Sequence, residues 1–570
     1  MNLKTQTEAT VASDIPEFNY MSDSVKIIPL GGLGAIGKNI TLIEYKNEII
    51  IIDCGIMFPR DDMPGIDFII PDFTYLRENK EKIKAIIITH GHEDHIGAVP
   101  FLVEEFKAPI YATKLTIGLI QSRLAEKQLS EYPVFVEVEP RQIVEINNFA
   151  IEFIRVNHSI TDSVGLAIKT PIGTIIHSGD FKIDFSPVDG DVTDLYSFAK
   201  YGEEGVLLLL SDSTNAEKDG FTKSESALQE KMIDLFSSSK NRIIVATFAS
   251  NIHRIQQICD VAQIFHRNVV VTGLSMQKNI EISRELGYLN IKDEIFVSID
   301  QARNLPNKKL VIIGTGTQGE PMSALSRMAS GTHRHFSVEK GDAVIITASV
   351  IPGNERLVTN VVNSLMEIGA DVFYDRSEGI HVSGHGSAKE LKMMLTLTKP
   401  EFFLPVHGEY KHLKAHGDIA ESLNIKSSRI IIGHNGDILE LTKKHFKKID
   451  SIELSNIYVD GSETGDADSI IIRDRQLMSI DGIVMITVFI SDKKIIDAPQ
   501  VISRGFHYES SSNTLDVIKH DVKDKVERHL KDGSTRENIE LALQKGLKNL
   551  IFKLCRRNPL ISIHVVEVSK

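Results

Sequence analysis

The sequence predicts a multi-domain α/β protein, and three observations carry that prediction. The chain has 570 residues, too many for one ordinary domain and enough for roughly three or four. Its composition is 42% hydrophobic and 25% charged, the balance of a chain that buries cores. Short apolar runs bounded by turn residues alternate with helical periodicity along most of its length.

The same arithmetic excludes several classes. No apolar run reaches the ~18–20 residues of a membrane span, so no membrane partner is expected. Met1–Asp23 is polar, with no apolar signal core, which argues against export; residues 1–22 read as a disordered tail. Cys54, Cys259 and Cys555 stand far apart without a Cys-x-x-Cys pair, so a disulfide framework is out and a reducing cytoplasm fits. A net charge of −13 disfavours a DNA-coating protein held by a global positive field, but not a polyanion held at a local site.

Strand patterns open the chain at Val25–Leu30, Asn39–Tyr45 and Glu48–Asp53, the last two joined by a Lys46-Asn47 turn. Lys84–Thr89 is a buried-type strand leading into a His-rich loop and a helix to about Phe106. Further strands are expected at Ala150–Val156, Gly165–Lys169 and Thr174–His177, giving a sheet sandwich with helical cover. Beyond Ser211 the rhythm becomes strand–loop–helix. Arg242–Phe248, Asn268–Val271, Lys309–Ile313 and Ala343–Ser349 read as a parallel sheet. Glu401–Val406 returns to a strand ending in histidine. Lys443, Lys444, Lys447 and Lys448 read as a solvated charge run and the start of a linker, residues 446–469. A small α/β domain, residues 470–570, closes the chain. Its strands are expected at Ser469–Arg473, Gly482–Ser491 and Leu560–Val568, and its helices at about Thr514–Lys531 and Arg536–Cys555.

Two glycine loops imitate nucleotide-binding motifs. Gly32-Leu33-Gly34-Ala35-Ile36-Gly37-Lys38 needs a helix after it, but a β-hairpin follows, and Asn39 stands where a magnesium-binding Ser or Thr would be. It is a structural turn. Gly314-Thr315-Gly316-Thr317-Gln318-Gly319 lies between a strand and a helix expected near Pro321, with Glu339 about 20 residues on. Phosphate contact there ranks above a bound nicotinamide cofactor.

The decisive segment is Thr89-His90-Gly91-His92-Glu93-Asp94-His95, between a strand and a helix. Lone histidines are usually structural or surface residues; three with an aspartate in six positions are not. Nitrogen and carboxylate donors suit Zn²⁺ or a similar ion, and so dense a cluster can hold two ions ~3.5–4 Å apart.

This His-x-His-x-Asp-His pattern resembles the signature of the metallo-β-lactamase superfamily, whose other ligands come from later strand ends. The matching positions appear in order: Asp53, His158, Asp180 in His177-Ser178-Gly179-Asp180, and His407. An α/β block, residues 221–380, interrupts the core of residues 23–220 and 381–445. Asp212, in Leu210-Ser211-Asp212-Ser213-Thr214, precedes it, and His381-Val382-Ser383-Gly384-His385-Gly386-Ser387 closes it. That arrangement resembles the β-CASP insertion of nucleases. Gly31-Gly32-Leu33-Gly34, Gly314–Pro321, Pro352-Gly353-Asn354, Pro405-Val406-His407-Gly408-Glu409-Tyr410 and Ile502-Ser503-Arg504-Gly505-Phe506 narrow the resemblance to the bacterial ribonuclease J family. The implied fold is an αββα sandwich with an inserted β-CASP domain and a small C-terminal oligomerisation domain.

The resemblance implies that His90, His92 and His158 hold one ion, that Asp94, His95 and His407 hold a second, and that Asp180 bridges them. Two Zn²⁺ per protomer are expected, with Mn²⁺ or Mg²⁺ as alternatives. Asp53 reads as an orienting group behind the ligands. Paired ions would lower the pKa of a shared water toward ~7 and neutralise charge on the phosphoryl oxygens. Ser387 followed by Glu390 is a capping box, so His381–His385 reads as a phosphate grip on outward N–H groups, with Ser383 and His385 as side-chain donors. An ordinary cap with a surface histidine would account for the same residues without the metal cluster beside it. Asp212 reads as catalytic or as a buried junction aspartate. The family implies 5′-to-3′ exonuclease activity on single-stranded 5′-monophosphate RNA, some endonuclease cleavage, and roles in mRNA decay and rRNA maturation. It also implies a homodimer or homotetramer, or pairing with a paralogous subunit. Residue spacing does not separate RNA from DNA. A weakly active RNA-binding partner subunit and a DNA nuclease stay as alternatives.

Overall fold

The computed structural model describes residues 23–568 except 61–62, 130, 321, 349, 351–353, 375–378, 462, 467–469 and 507–513. The expected N-terminal tail, Pro321, Pro352, Gly353 and Ser469 lie outside the described residues.

Two sheets face each other in the core. The first runs, in spatial order, Phe446–Ser451, Asp437–Leu441, Val25–Gly31, Ile40–Tyr45, Glu48–Ile52, Ile83–Ile87, Ile110–Ala112 and Phe135–Glu137. The second runs Phe402–Val406, Val206–Asp212, Gly173–His177, Val164–Thr170, Phe149–Arg155 and Ile143–Ile146. Strands such as Glu48–Ile52 are buried on both faces, hence their unbroken isoleucine runs. Ile27, Ile43, Ile50 and Ile52 meet Phe153, Leu166, Leu208 and Leu404 between the sheets, and helices cover the outer faces. Val206–Asp212 pairs in parallel with Phe402–Val406, matching Asp212 to Val406. The core strands that flank the insertion in sequence therefore lie side by side.

The insertion holds a parallel sheet ordered Asn268–Val271, Leu310–Gly314, Ile243–Ala246, Ala343–Ile346 and Asp371–Phe373. The C-terminal domain packs helices Thr514–Lys531 and Arg536–Cys555 on a sheet whose strand Ile483–Ser491 pairs with Gln500–Arg504 and with Leu560–Glu567.

Four expectations change. The helix after the His loop is two, Glu93–Ile96 and Val99–Glu105, because Pro100 fits only a first helical turn. The start of the expected linker is a core strand. Phe446 is buried in the sandwich, and Phe446–Ser451 forms the sheet edge, its Lys447 and Lys448 paired with Glu440 and Asp437. Lysines on an edge strand also block strand addition. Farther along, Ile457–Asp460 pairs with Phe68–Ile70. The strand expected at Ser469–Arg473 is the start of a helix, Ile470–Asp481. Its Ile472 packs on Met63, Ile66 and Ile69, and a three-isoleucine run cannot by itself tell strand from helix. Finally, the helix after Gly314–Gly319 is Ala324–Ala329, capped by the Ser323 side chain. A Cβ on Gly319 would lie 2.5 Å from Leu357 backbone, so close packing requires a glycine there.

Candidate metal centre

The His loop leaves strand Ile83–Ile87 at the rim of the sandwich, where strand ends from both sheets converge. His90 Nε2, His92 Nδ1 and His158 Nε2 face one another, with His92 Nδ1 3.1 Å from the first and 3.0 Å from the last. Beside them stand Asp94, His95, Asp180 and His407. His407 Nε2 lies 3.2 Å from Asp94 Oδ2, and His95 Nε2 lies 3.2 Å from Asp180 Oδ2. Asp180 stands between the two groups, with Oδ2 3.8 Å from His90 Nε2 and Oδ1 3.3 Å from His407 Nδ1. Tetrahedral ligands of zinc at ~2.0–2.1 Å are spaced about 3.3 Å apart, so the first group is close to a ready-made three-nitrogen site.

Outer partners fix each ring. Asp53 Oδ2 accepts from His95 Nδ1 at 2.8 Å, and its carboxylate also takes the Thr89 N–H and hydroxyl. Thr89 Oγ1 in turn lies 3.0 Å from His90 Nδ1. His158 Nδ1 donates to the Gly384 carbonyl at 2.8 Å. These bonds leave the inward nitrogens free to bind. Asp53 and His407 both hold positive φ, 61° and 53°, a conformation costing L residues roughly 1–2 kcal/mol. Tertiary contacts maintain it at these two strand ends.

Burial and charge set the protonation of the cavity. Burial pushes His90 and His158 well below the ordinary imidazole range, and His92 down to about 4. At His407 burial is outweighed by Asp180, Asp212 and Asp94, and the ring rises to about 10. At His95 burial is likewise outweighed, by Asp180, Asp53 and Asp94. Neutral nitrogens converging on one point in the first group, and carboxylates gathered around the second, are a donor set for divalent cations.

The insertion's closing loop completes the rim. His385 lies with its ring 4.9 Å from that of His158 and 5.3 Å from that of His407, and its Nδ1 donates to Asp212 Oδ2 at 2.7 Å. Asp212 is buried and also accepts the Thr214 N–H and hydroxyl. Ser383 and His385 are half-buried at the rim, and Ser383 Oγ accepts from Asn215 Nδ2 at 2.8 Å. His381 and Val382 are turned to other work. His381 Nδ1 donates to the Thr347 carbonyl, and Val382 is buried.

The outward helix N-terminus expected here is absent. The N–H groups of Ala388 and Lys389 go to the carbonyls of Lys218 and Gly220, and Glu390 accepts the N–H groups of Ser387, Ile183 and Thr222. Any grip in this loop uses Ser383, Gly384 and His385 rather than the helix.

Sequence reading missed four supports. Asn39 sits with Nδ2 3.0 Å from His95 Nε2 and from the Asp94 carbonyl. Gly55 packs so tightly that a Cβ would fall 1.6 Å from the Asp94 carbonyl oxygen. Asn435 bonds both backbone groups of Leu33, whose short strand Leu33–Gly34 pairs with Gly408–Glu409 beside His407. Asn215 ties Ser383 to the His385 carbonyl. Only Asn39 carried a signal, as the odd residue in a glycine motif.

A two-sheet sandwich with a His/Asp cluster at its strand ends and an inserted parallel-sheet domain defines a metallo-β-lactamase-type hydrolase of the β-CASP group. Family models agree segment by segment: "Metallo-beta-lactamase superfamily" over residues 33–217, "Ribonuclease J, beta-CASP domain" over 240–365, "Zn-dependent metallo-hydrolase RNA specificity domain" over 375–427 and "Ribonuclease J C-terminal domain" over 470–568. Ribonuclease J of Helicobacter pylori is 42% identical over 549 residues, covering 95% of this chain and 79% of its own length. That of Thermus thermophilus is 40% identical over 552 residues, 96% of each chain. A solved structure, a protein of unknown function from Enterococcus faecalis V583, shares the fold at 14% identity. Its TM-score is 0.51, and the match covers 73% of this chain and all of that one. The chain belongs to the ribonuclease J family of metal-dependent nucleases.

Proposed function

We propose that the chain is a 5′-to-3′ exoribonuclease on single-stranded 5′-monophosphate RNA, with some endonuclease activity, serving mRNA decay and rRNA maturation in the cytoplasm. The observation that carries this reading is the place of His385: one residue of the insertion's closing loop stands within 5.3 Å, ring to ring, of both ligand groups. A 5′-phosphate held by Ser383, Gly384 and His385 leaves room for only a short piece of RNA before the cutting point. One nucleotide would leave per step.

The donor set favours two Zn²⁺, with Mn²⁺ or Mg²⁺ as alternatives: His90, His92 and His158 for one, Asp94, His95 and His407 for the other, and Asp180 between. Bound there, the ions would supply an activated water and charge neutralisation at the scissile phosphate. His385, fixed by Asp212, is placed to hold a phosphate or pass a proton at the same spot. The C-terminal sheet supports self-association. Met485 and Ile502 are cross-strand partners on its outer face, as are Phe489 and Val566; Met485 and Phe489 are partly buried, and Ile502 and Val566 are exposed. We assign this face to a homodimer or homotetramer contact.

The test is mononucleotide release from 5′-monophosphate and 5′-triphosphate versions of one RNA. The monophosphate should be preferred. Ser383→Ala should weaken that preference more than it slows internal cleavage, whereas His385→Ala should harm both. Equal wild-type rates on both ends would remove the end-grip reading.

A further inference from the structure

His158 joins the two halves of the site. Its Nε2 faces His92, while its Nδ1 donates to the carbonyl of Gly384, a residue 226 positions away in the closing loop. The approach is close: a Cβ on Gly384 would lie 2.7 Å from His158 Cε1, 2.8 Å from its Nδ1 and 2.9 Å from Ser159 Oγ. Ser159 Oγ lies 3.4 Å from His92 Nε2, so the loop backbone is packed behind two imidazoles of the first group. His90 and His95 take their outer partners, Thr89 and Asp53, from the sandwich itself. His158 takes its partner from the loop that meets the substrate.

We propose that the Gly384 carbonyl is a positioning group for the first metal site, and that loop placement and metal retention are therefore coupled. The carbonyl keeps the proton on His158 Nδ1, which presents Nε2 as the donor and fixes the ring's direction. Displacing the loop removes that partner and weakens the site; holding the loop in place strengthens it. Linkage makes the effect reciprocal, so a phosphate on Ser383 and His385 raises metal affinity by the factor by which the metal raises phosphate affinity. The reciprocal part rests on the end-grip reading above; the positioning part does not. Gly384 is required for this contact by proximity, since any side chain there would press on His158.

Two measurements on the full-length protein test the proposal. In the first, metal-free wild type, Gly384→Ala and Ser383→Ala are titrated with Zn²⁺ against a competing chelator, with thermal unfolding as the folding check. Gly384→Ala should lose affinity at the first site by about tenfold to a hundredfold while keeping the second ion. Ser383→Ala, whose Gly384 carbonyl is intact, should match wild type. A folded Gly384→Ala protein binding both ions as wild type does would overturn the positioning role. In the second, wild type is titrated with Zn²⁺ with and without uridine 5′-monophosphate. Zn²⁺ affinity should rise about fivefold or more. Nucleotide that binds yet leaves Zn²⁺ affinity unchanged would overturn the coupling. No nucleotide binding at all would instead refute the end grip, and the Gly384→Ala titration would still judge the positioning. If Gly384→Ala fails to fold, the histidine ¹⁵N NMR spectrum of the metal-free wild type decides the positioning role: the His158 proton should sit on Nδ1, and a proton on Nε2 would overturn it.

Discussion

Asp53 and Asp212 hold histidines from opposite sides of the centre, and neither needs to touch an ion to matter. Asp53 fixes His95; Asp212 fixes His385 and lies 3.4 Å from His407 Nδ1. Asp212→Asn should remove a charge-assisted bond of about 1.5–3 kcal/mol, slowing RNA hydrolysis roughly tenfold to a hundredfold. Metal content should stay intact, because Thr214 and Asp180 still face His407; it can be followed by atomic absorption beside the rate. A wild-type rate would mean that the His385–Asp212 pair is only structural. Asp94 differs in its group: its carboxylate converges with His95, Asp180 and His407, whereas Asp212 converges with His385, Asp180 and His407. Asp94→Ala should abolish most hydrolysis, as should chelation of the wild type, and full metal-dependent activity in that variant would refute the ligand assignment. The His90–His95 motif was legible because its donors are neighbours in sequence. Asn39 and Gly55 were not, because only folding brings them to Asp94 and His95.

Among the elements, the joint between core and insertion rests on a buried charge cluster. Arg254, on the insertion helix Ile252–Ile264, is fully buried; it donates to Glu225 at 2.8 Å and to the Thr347 carbonyl at 2.9 Å. Lys182, from the core, lies 3.6 Å from the same Glu225 and 3.4 Å from Asp184. At Glu225 burial is outweighed by Arg254 and Lys182, and the carboxyl falls to about 2. A carboxyl depressed on folding stabilises the native state above its unfolded pKa near 4.5, and that contribution is lost as pH falls toward 2. The loss amounts to roughly 3 kcal/mol. Wild-type thermal stability should therefore drop between pH 5 and pH 2 more steeply than that of Glu225→Gln, which starts lower because it leaves Arg254 without its charged partner. Parallel slopes would show that this cluster does not carry the pH dependence. Element reading from sequence worked where periodicity is long. Ile518, Val522, Val526 and Leu530 recur every fourth residue, as do Ile539, Leu543, Leu547 and Ile551, and all eight are buried. It failed at Ile470–Ile472, a run too short for either period to show.

For the whole molecule, the C-terminal domain has its own core, contributed by the strand Ile483–Ser491 and the two long helices. Helix Ile470–Asp481 belongs partly to the main body, through Ile472 on Ile69 and Arg475 on the Gly65 carbonyl. The cleanest truncation therefore follows Asp481. Removing residues 482–570 should yield monomers by light scattering while metal binding persists, since among the described residues every candidate ligand lies at or before His407. An unchanged oligomer would place the contact elsewhere, and loss of metal would show that the core depends on this domain.

Sequence by itself singled out side chains that the fold gathers at one rim, because His90, His92, Asp94 and His95 follow one strand end, and Asp180 and His407 mark two more. It also pointed to the layered architecture, because short isoleucine-rich runs bounded by turn residues fit strands buried on both faces. Tertiary structure alone decided how the parts meet. The lysine-rich segment became a sheet edge because Phe446 found the sandwich core and Asp437 and Glu440 found its lysines. The closing helix lost its free N–H groups because Lys218 and Gly220 lie against it. The bond from His158 to Gly384 joins residues 226 apart. Local pattern encodes donors and periods; a contact across such a separation exists only once the intervening domain has folded and returned the chain to the same rim.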